Sequence, residues 1–139
     1  MSSFEEGCVT ETIAVAIAAE QLAGATNPMC VETLEMIEQD ESRHAALAWS
    51  VVAWAVRAGG EPVREAISAS LQRVLTRHPV VPNRGSRPSE DADVGVLTRE
   101  AMRRVSSEVV AAVVQPCAAA LLHSSAGGSM SESRGVAAA

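Results

Sequence analysis

The chain has very few aromatic residues: one Phe, two Trp and no Tyr among 139 residues. The absence of tyrosine excludes a stored tyrosyl radical. We expect the two tryptophans, Trp49 and Trp54, to be core residues that pack against the later helices. Hydrophobic residues still make up 47% of the chain, so the apolar content is mostly Ala, Val, Leu and Ile. These residues suit helices that approach one another closely. The composition therefore favours a tight, all-α helical bundle, and the length suits one domain.

Cysteine is also scarce. Cys8, Cys30 and Cys117 lie far apart in the sequence and none belongs to a CxxC pair. This spacing argues against a zinc knuckle and against a disulfide framework. We interpret the three residues as small apolar members of the core.

Positive charge is in short supply, with 11 basic against 17 acidic residues and a formal net charge of -6. The basic residues form no long stripe, so we expect no nucleic-acid partner. The longest apolar runs, at residues 45–56 and 109–122, are shorter than the roughly 20 residues that span a bilayer. The N-terminus is polar and lacks a signal-peptide pattern, so we expect no membrane helix and a cytoplasmic location.

Helix-start and helix-stop signals divide the chain into four helices. Ser3 and Glu6 have capping-box spacing, Asn27-Pro28 is typical of a helix start, and Gly24 and Gly59-Gly60 are typical of helix ends. The pattern predicts a helical domain over residues 1–123, with helices at 3–23, 28–58, 61–78 and 98–123. A loop at 79–97 joins the last two, Pro116 is expected to kink the final helix, and a disordered tail follows at 124–139.

The first two helices each carry an apolar stripe that polar residues interrupt. In the first helix the interruption is Glu11. In the second helix Glu41 and His44 interrupt a stripe that otherwise consists of Leu34, Ile37, Ala48, Val51 and Ala55. A buried carboxylate is costly unless it is paired, protonated or bound to a cation. These three residues are therefore candidate metal ligands.

The polar residues that interrupt the two stripes lie at similar distances from the loop between the helices, which we call their heights. Glu11 lies 12 residues before Ala23 and Glu41 lies 13 residues after Pro28. At about 1.5 Å per residue, both lie roughly 18 to 20 Å from the connecting loop. Antiparallel helices would thus place them side by side. Glu41 and His44 have Glu-x-x-His spacing, which aims an oxygen and a nitrogen ligand at one point.

Two segments resemble the ferritin-like superfamily. They are Glu-Gly-Cys-Val-Thr-Glu-Thr at 6–12 and Glu-Ser-Arg-His-Ala-Ala-Leu-Ala-Trp at 41–49, and the similarity covers residues 5–57. The chain also resembles bacterial ferritin-like domain proteins of unassigned activity, in which a segment like Val-Gln-Pro-Cys-Ala-Ala-Ala-Leu at 114–121 also follows. In the superfamily, a four-helix bundle supplies a Glu and a Glu-x-x-His from each of two helix pairs to two metal ions.

The resemblance implies a role for each candidate ligand. Glu41 would bridge two metal ions, His44 would be a terminal nitrogen ligand, and Glu11 would be a terminal or chelating carboxylate. Glu38, one turn before Glu41, is a further candidate ligand, although it also fits the solvated side of the helix. Iron is the favoured ion for oxygen ligands plus imidazole, with manganese as the other candidate. The implied chemistry uses dioxygen or peroxide, as a ferroxidase or as an oxidoreductase acting on a substrate.

The chain departs from the superfamily because it contains only the second helix pair. Three interpretations remain open. Two copies related by a two-fold axis would restore two Glu and two Glu-x-x-His, which predicts a homodimer. A truncated, metal-free remnant would instead act as a helical interaction module. The sequence could also be part of a longer protein that supplies the other helix pair.

Overall fold

A computed structural model describes residues 3–80 and 89–124, and within these ranges the protein is all-helical, with no strand. The all-α prediction is therefore confirmed. Almost all of the tail predicted to be disordered, from residue 125 onward, lies outside the described residues, as does the middle of the predicted loop, residues 81–88.

The first helix begins with a wide turn that the sequence did not reveal. A π-helical segment, Phe4–Thr10, leads directly into α1 (Glu11–Gly24). The predicted capping box does not form, because Ser3 makes no side-chain cap hydrogen bond. Farther along the helix, where the wide turn ends, the hydroxyl of Thr12 donates a hydrogen bond to the carbonyl of Cys8 (2.6 Å).

The second and third predicted helices follow one another without a loop. Together they form α2 (Pro28–Arg77), which is broken at Gly60 by non-helical backbone angles (φ 60°, ψ -144°). Asn27 caps the start, since its side chain accepts hydrogen bonds from the amides of Met29 and Cys30 at 3.1 and 3.3 Å. The break falls at the Gly59-Gly60 pair, where the sequence predicted a helix end.

The last helix consists of three consecutive segments. They are α3 (Arg99–Val109), a π-helical segment (Val110–Val114) and α4 (Gln115–His123). Proline has no amide hydrogen to donate, so helical hydrogen bonding must change near Pro116. The sequence predicted a kink at that residue, and the structure has a π-helical turn immediately before it.

This final helix, Arg99–His123, is long and apolar enough to cross a membrane by length and composition alone. The core helix of a protein that never enters a membrane can have the same length and composition, and 28% of the apolar window is buried inside the structure. The expectation that the chain has no membrane helix stays a prediction.

The core lies where the Phe4–Thr10 segment, both parts of α2 and the Val110–Val114 segment meet. Its most buried side chains include those of Cys8, Val56, Val74, Val110 and Val114. A Cβ atom on Gly7 would approach the Cβ of Ala48 to 3.0 Å, so the first helix and α2 cross in close contact. The two helices that carry the candidate ligands are thus packed directly against each other.

Two residues predicted to be core are exposed. Trp54 has 64% of its surface exposed, and Cys117 also lies at the surface. Residue type alone did not distinguish the two sides of α2 or of α4, and within the described residues Trp54 and Cys117 lie on exposed sides. Trp49 is partly buried as predicted, with its ring edge-on to Phe4 at a centroid separation of 5.9 Å.

Candidate metal centre

Three of the predicted ligands meet between α1 and α2. The imidazole Nδ1 of His44 lies 3.6 Å from Oε2 of Glu41 and 4.0 Å from Oε2 of Glu11. One ligand atom from each of the three residues lies within 4.8 Å of the others. The structure therefore brings together the residues whose heights along the two helices agreed.

Packing beside this cluster fixes the position of α1 along α2. Glu11 is the first residue of α1, directly after the wide turn, and its neighbour Thr12 is buried. The indole Nε1 of Trp49 donates a hydrogen bond to the hydroxyl of Thr12 (3.0 Å). This bond joins α1 to α2 beside the cluster, so that sliding of one helix along the other would break it.

The connection between the helices is also held in place. The amides of Thr26 and Asn27 both donate to the carbonyl of Asp93, at 2.8 and 3.0 Å. The side-chain amide of Gln21 donates to the carbonyl of Gly95 (2.9 Å). The segment before α3 thus fixes the turn from which the heights of Glu11 and Glu41 are measured.

The two carboxyl groups influence each other strongly. A hydrogen-bonding contact with the Glu41 carboxyl raises the pKa of Glu11, and burial and the negative charge of Glu41 act in the same direction. A positive charge on His44 would lower it. Two close carboxylates disfavour their joint ionisation, and a proton or a bound cation between them would relieve this repulsion. The side chains of Glu11 and Glu41 are each about 30% exposed, so water and ions can reach them.

Two further acidic residues lie on the same stretch of α2. An oxygen of Asp40 lies 3.9 Å from Nε2 of His44, on the other edge of the ring, where it can orient the imidazole. Glu38 does not belong to the cluster of ligand atoms found in the described part of the chain. The structure thus brings together three of the four candidate ligands, and metal binding by any of the four stays a prediction.

The predicted stripe of α2 divides into two sides. Leu34, Glu41 and Ala48 lie on the side that packs within the chain, where Leu34 is buried and the other two are partly buried. Ile37 and Val51, which belong to the same predicted stripe, are 43% and 49% exposed. Glu41 therefore points toward α1, whereas His44, with 55% of its side chain exposed, lies at the edge of an open surface.

That open surface is apolar and has a heptad pattern. We call it the α2 stripe, and its members are Ile37, His44, Leu47, Val51 and Trp54. The spacing of 37, 44 and 51, with 47 and 54 between and after them, corresponds to the a and d positions of a helix-packing seam. The single imidazole in this seam is that of His44, which belongs to the candidate ligand cluster with Glu11 and Glu41.

One ion cluster was missed by sequence reasoning. The Glu5 carboxylate is 7% exposed and accepts hydrogen bonds from Arg73 (2.8 and 3.2 Å) and Arg77 (2.9 Å). The four-residue spacing of the two arginines was the available signal, since it places both on one face of α2. The cluster ties the wide first turn to the second part of α2.

The donor set of Glu11, Glu41 and His44 fits a divalent first-row metal ion. Carboxylate oxygens together with one imidazole nitrogen suit iron, manganese or zinc. Three protein ligands leave coordination positions open, which is a property of reactive rather than purely structural sites. Comparison with protein-family models, with curated proteins and with solved structures finds no match to this chain.

Proposed function

We propose that the protein is a ferritin-like carboxylate protein that binds a pair of metal ions, iron by preference, in a site that two copies of the chain complete. The observation that supports this proposal is the meeting of Glu11, Glu41 and His44 across two helices. Each of them interrupts an apolar stripe, and an apolar seam does not by itself require two carboxylates and an imidazole at the same height.

The proposed homodimer follows from the number of ligands and from the surface beside them. One chain contributes two carboxylates and one imidazole, and a two-fold axis doubles them to the full set of the ferritin-like bundle. The α2 stripe exposes apolar side chains on both sides of His44. A second copy covering this stripe would bury the apolar residues and bring the two sets of ligands together.

The proposed activity is oxygen-dependent, as a ferroxidase or as an oxidoreductase acting on a substrate bound in the bundle. The chemistry that a pair of iron ions supplies when bound is reduction of dioxygen or peroxide. In this chain, Glu11 and Glu41 would supply negative charge, which stabilises ferric iron more than ferrous iron. His44 supplies a nitrogen ligand, and an oxygen of Asp40 lies 3.9 Å from Nε2 on the far edge of its ring.

Anaerobic titration with ferrous iron tests the proposal. We expect saturable binding of about one ion per chain. Glu11→Gln and His44→Ala should each weaken it by more than about 100-fold, because losing even an outer-sphere partner costs 10- to 100-fold. Glu35→Gln, an exposed carboxylate on the same helix, is the matched control. Absence of binding by the wild-type chain would contradict the proposal.

A second candidate function is a metal-free helical interaction module. The exposure of Trp54 (64%) and Leu47 (65%) favours it, because large apolar side chains clustered on a surface mark sites of association. The two candidates differ in one result. If the protein is a metal-free module, His44→Ala should associate with a second copy or another chain as strongly as wild type does. If two copies share a metal site, His44→Ala should associate more weakly than wild type in the presence of iron.

A further inference from the structure

A cleft of about 400 Å³ lies at the opposite end of α2 from its start, between the end of that helix and α3. Its walls include Arg77, His78 and Pro79 at the end of α2 and just after it, and Arg99, Met102 and Arg103 on α3. A volume of this size falls within the range of small-molecule pockets in proteins, about 300–1,000 Å³. None of its lining residues belongs to the metal cluster.

Three of the lining residues are arginines, although the chain carries a net charge of -6. Arg77 donates one hydrogen bond to Glu5. Arg99 and Arg103 lie on successive turns of α3, and among the described residues neither forms an ion pair. No acidic side chain of the described ranges lines the cleft. The charge of Arg77 is thus shared with Glu5, whereas the charges of Arg99 and Arg103 are not neutralised by an ion pair within the described ranges.

The remaining polar groups either shape the cleft or face it. The hydroxyl of Ser107 donates to the carbonyl of Pro79 (2.5 Å), which fastens α3 to the end of α2 and sets the width between them. Burial and the neighbouring charge of Arg77 lower the pKa of His78. At neutral pH its ring is therefore uncharged, with one N–H available as a donor. Pro79 and Met102 supply an apolar wall.

We propose that this cleft binds a small organic phosphate monoester, with its phosphate between Arg99 and Arg103 and its organic part against Pro79 and Met102. A guanidinium group offers paired N–H donors that match the oxygens of a phosphate, and two such groups on successive turns can hold a dianion. The apolar wall adds affinity that inorganic phosphate alone cannot obtain. The proposal does not depend on the metal site.

Calorimetric titration of the full chain tests the proposal with three probes: inorganic phosphate, phenyl phosphate and benzoate. We expect saturable binding of inorganic phosphate and tighter binding of phenyl phosphate. Benzoate should bind more weakly than phenyl phosphate because it carries only one negative charge. Arg99→Gln and Arg103→Gln should each weaken phosphate binding about tenfold, the equivalent of one charged hydrogen bond.

Arg57→Gln is the matched control, since Arg57 is exposed on α2, does not line the cleft and forms no ion pair in the described part of the chain. It changes the net charge by the same amount and should leave binding unchanged. Equal weakening by Arg57→Gln would overturn the proposal, because binding would then follow overall charge. Absence of saturable binding, or benzoate binding as tightly as phenyl phosphate, would also overturn it.

A second measurement does not depend on the arginine variants. A bound phosphate would stabilise the protonated ring of His78, which otherwise faces the positive charges of Arg77 on α2 and of Arg99 and Arg103 on α3. The NMR titration of His78, assigned with His78→Gln, should therefore shift to higher pH when phenyl phosphate is added. An unchanged titration at saturating phenyl phosphate would place the ligand elsewhere and overturn the proposal.

Discussion

Glu5 is the only ionisable residue among the buried polar side chains of the described ranges, and it shows how an acidic residue can be kept in a small core. Its hydrogen bonds from Arg73 lower its pKa most strongly. Burial acts in the opposite direction, and Arg77 lowers the pKa further. The sequence did not single out Glu5 because Glu6 stands beside it, and the stripe spacing does not decide which of two adjacent carboxylates faces inward.

This lowered pKa predicts a specific loss of stability in acid. A carboxylate whose pKa is lower in the folded state stabilises it fully above the unfolded-state value of about 4.3. The contribution disappears as pH falls through the lower, folded-state pKa. We expect the free energy of unfolding to decrease less between about pH 7 and pH 3 in Glu5→Gln than in wild type.

Chemical denaturation at several pH values measures this difference. The control is Glu6→Gln, which removes an exposed neighbouring carboxylate. We expect Glu6→Gln to lose as much stability in acid as wild type does. The same pH dependence in wild type and in Glu5→Gln would show that the arginine cluster does not contribute to it.

The cysteines provide a second prediction at the residue scale. Burial, with a smaller effect of nearby Cys117, raises the pKa of the Cys8 thiol to about 12. Because the thiolate is the reactive species, a maleimide should label exposed Cys117 in the folded protein and leave Cys8 unlabelled. Peptide mass spectrometry before and after denaturation measures the labelling. Equal rates at Cys8 and Cys117 in the folded state would contradict the packing described for the core.

Among the helices, the boundary within α2 was the most predictable feature. Gly59-Gly60 indicated the end of one helix, and the chain breaks at Gly60. The π-helical segments could not be predicted in this way. Residues suited to an α-helix also suit a π-helical turn, and the choice between them depends on packing, as in the Phe4–Thr10 segment near Gly7 and Ala48.

The break predicts a large effect of one methyl group. Gly60 has a φ of 60°, a backbone conformation that residues with a side chain rarely adopt. Gly60→Ala should therefore destabilise the protein by about 1–3 kcal/mol. Gly24→Ala is the matched control, since its added Cβ would lie at an ordinary 3.7 Å from the carbonyl oxygen of Ala92. Urea denaturation measures both. A stability of Gly60→Ala equal to that of wild type would contradict a fixed break at this position.

At the scale of the whole molecule, the all-helical fold and the pairing of the first two helices followed from the sequence, whereas the outer surface did not. Leu34, Glu41 and Ala48 repeat every seven residues, and so do Ile37, His44 and Val51, three positions further on. Burial separates the two sets. Which of them packs within the chain depends on where α1 lies, and this is a tertiary property. The arginine-lined cleft was also missed, because its arginines lie on two helices.

The exposed set predicts the state of association. We expect the protein to be a dimer in solution and Val51→Glu to be monomeric, because a carboxylate without a partner in an apolar seam costs several kcal/mol. Val80→Glu is the control, since it places the same charge at a residue that is 79% exposed and lies outside the α2 stripe. Light scattering measures the masses. A dimeric Val51→Glu would exclude the α2 stripe as the interface.

In our proposal, a second copy of the chain completes the metal site. The most direct measurement is the metal content of wild type and of Val51→Glu after reconstitution with ferrous iron, determined together with molecular mass. Val51→Glu retains Glu11, Glu41 and His44, so any loss of metal must come from loss of the partner. We predict about one ion per chain in the wild-type dimer and little in the monomeric variant. Full metal content in the monomeric variant, or none in the wild-type dimer, would show that a second copy does not complete a metal site.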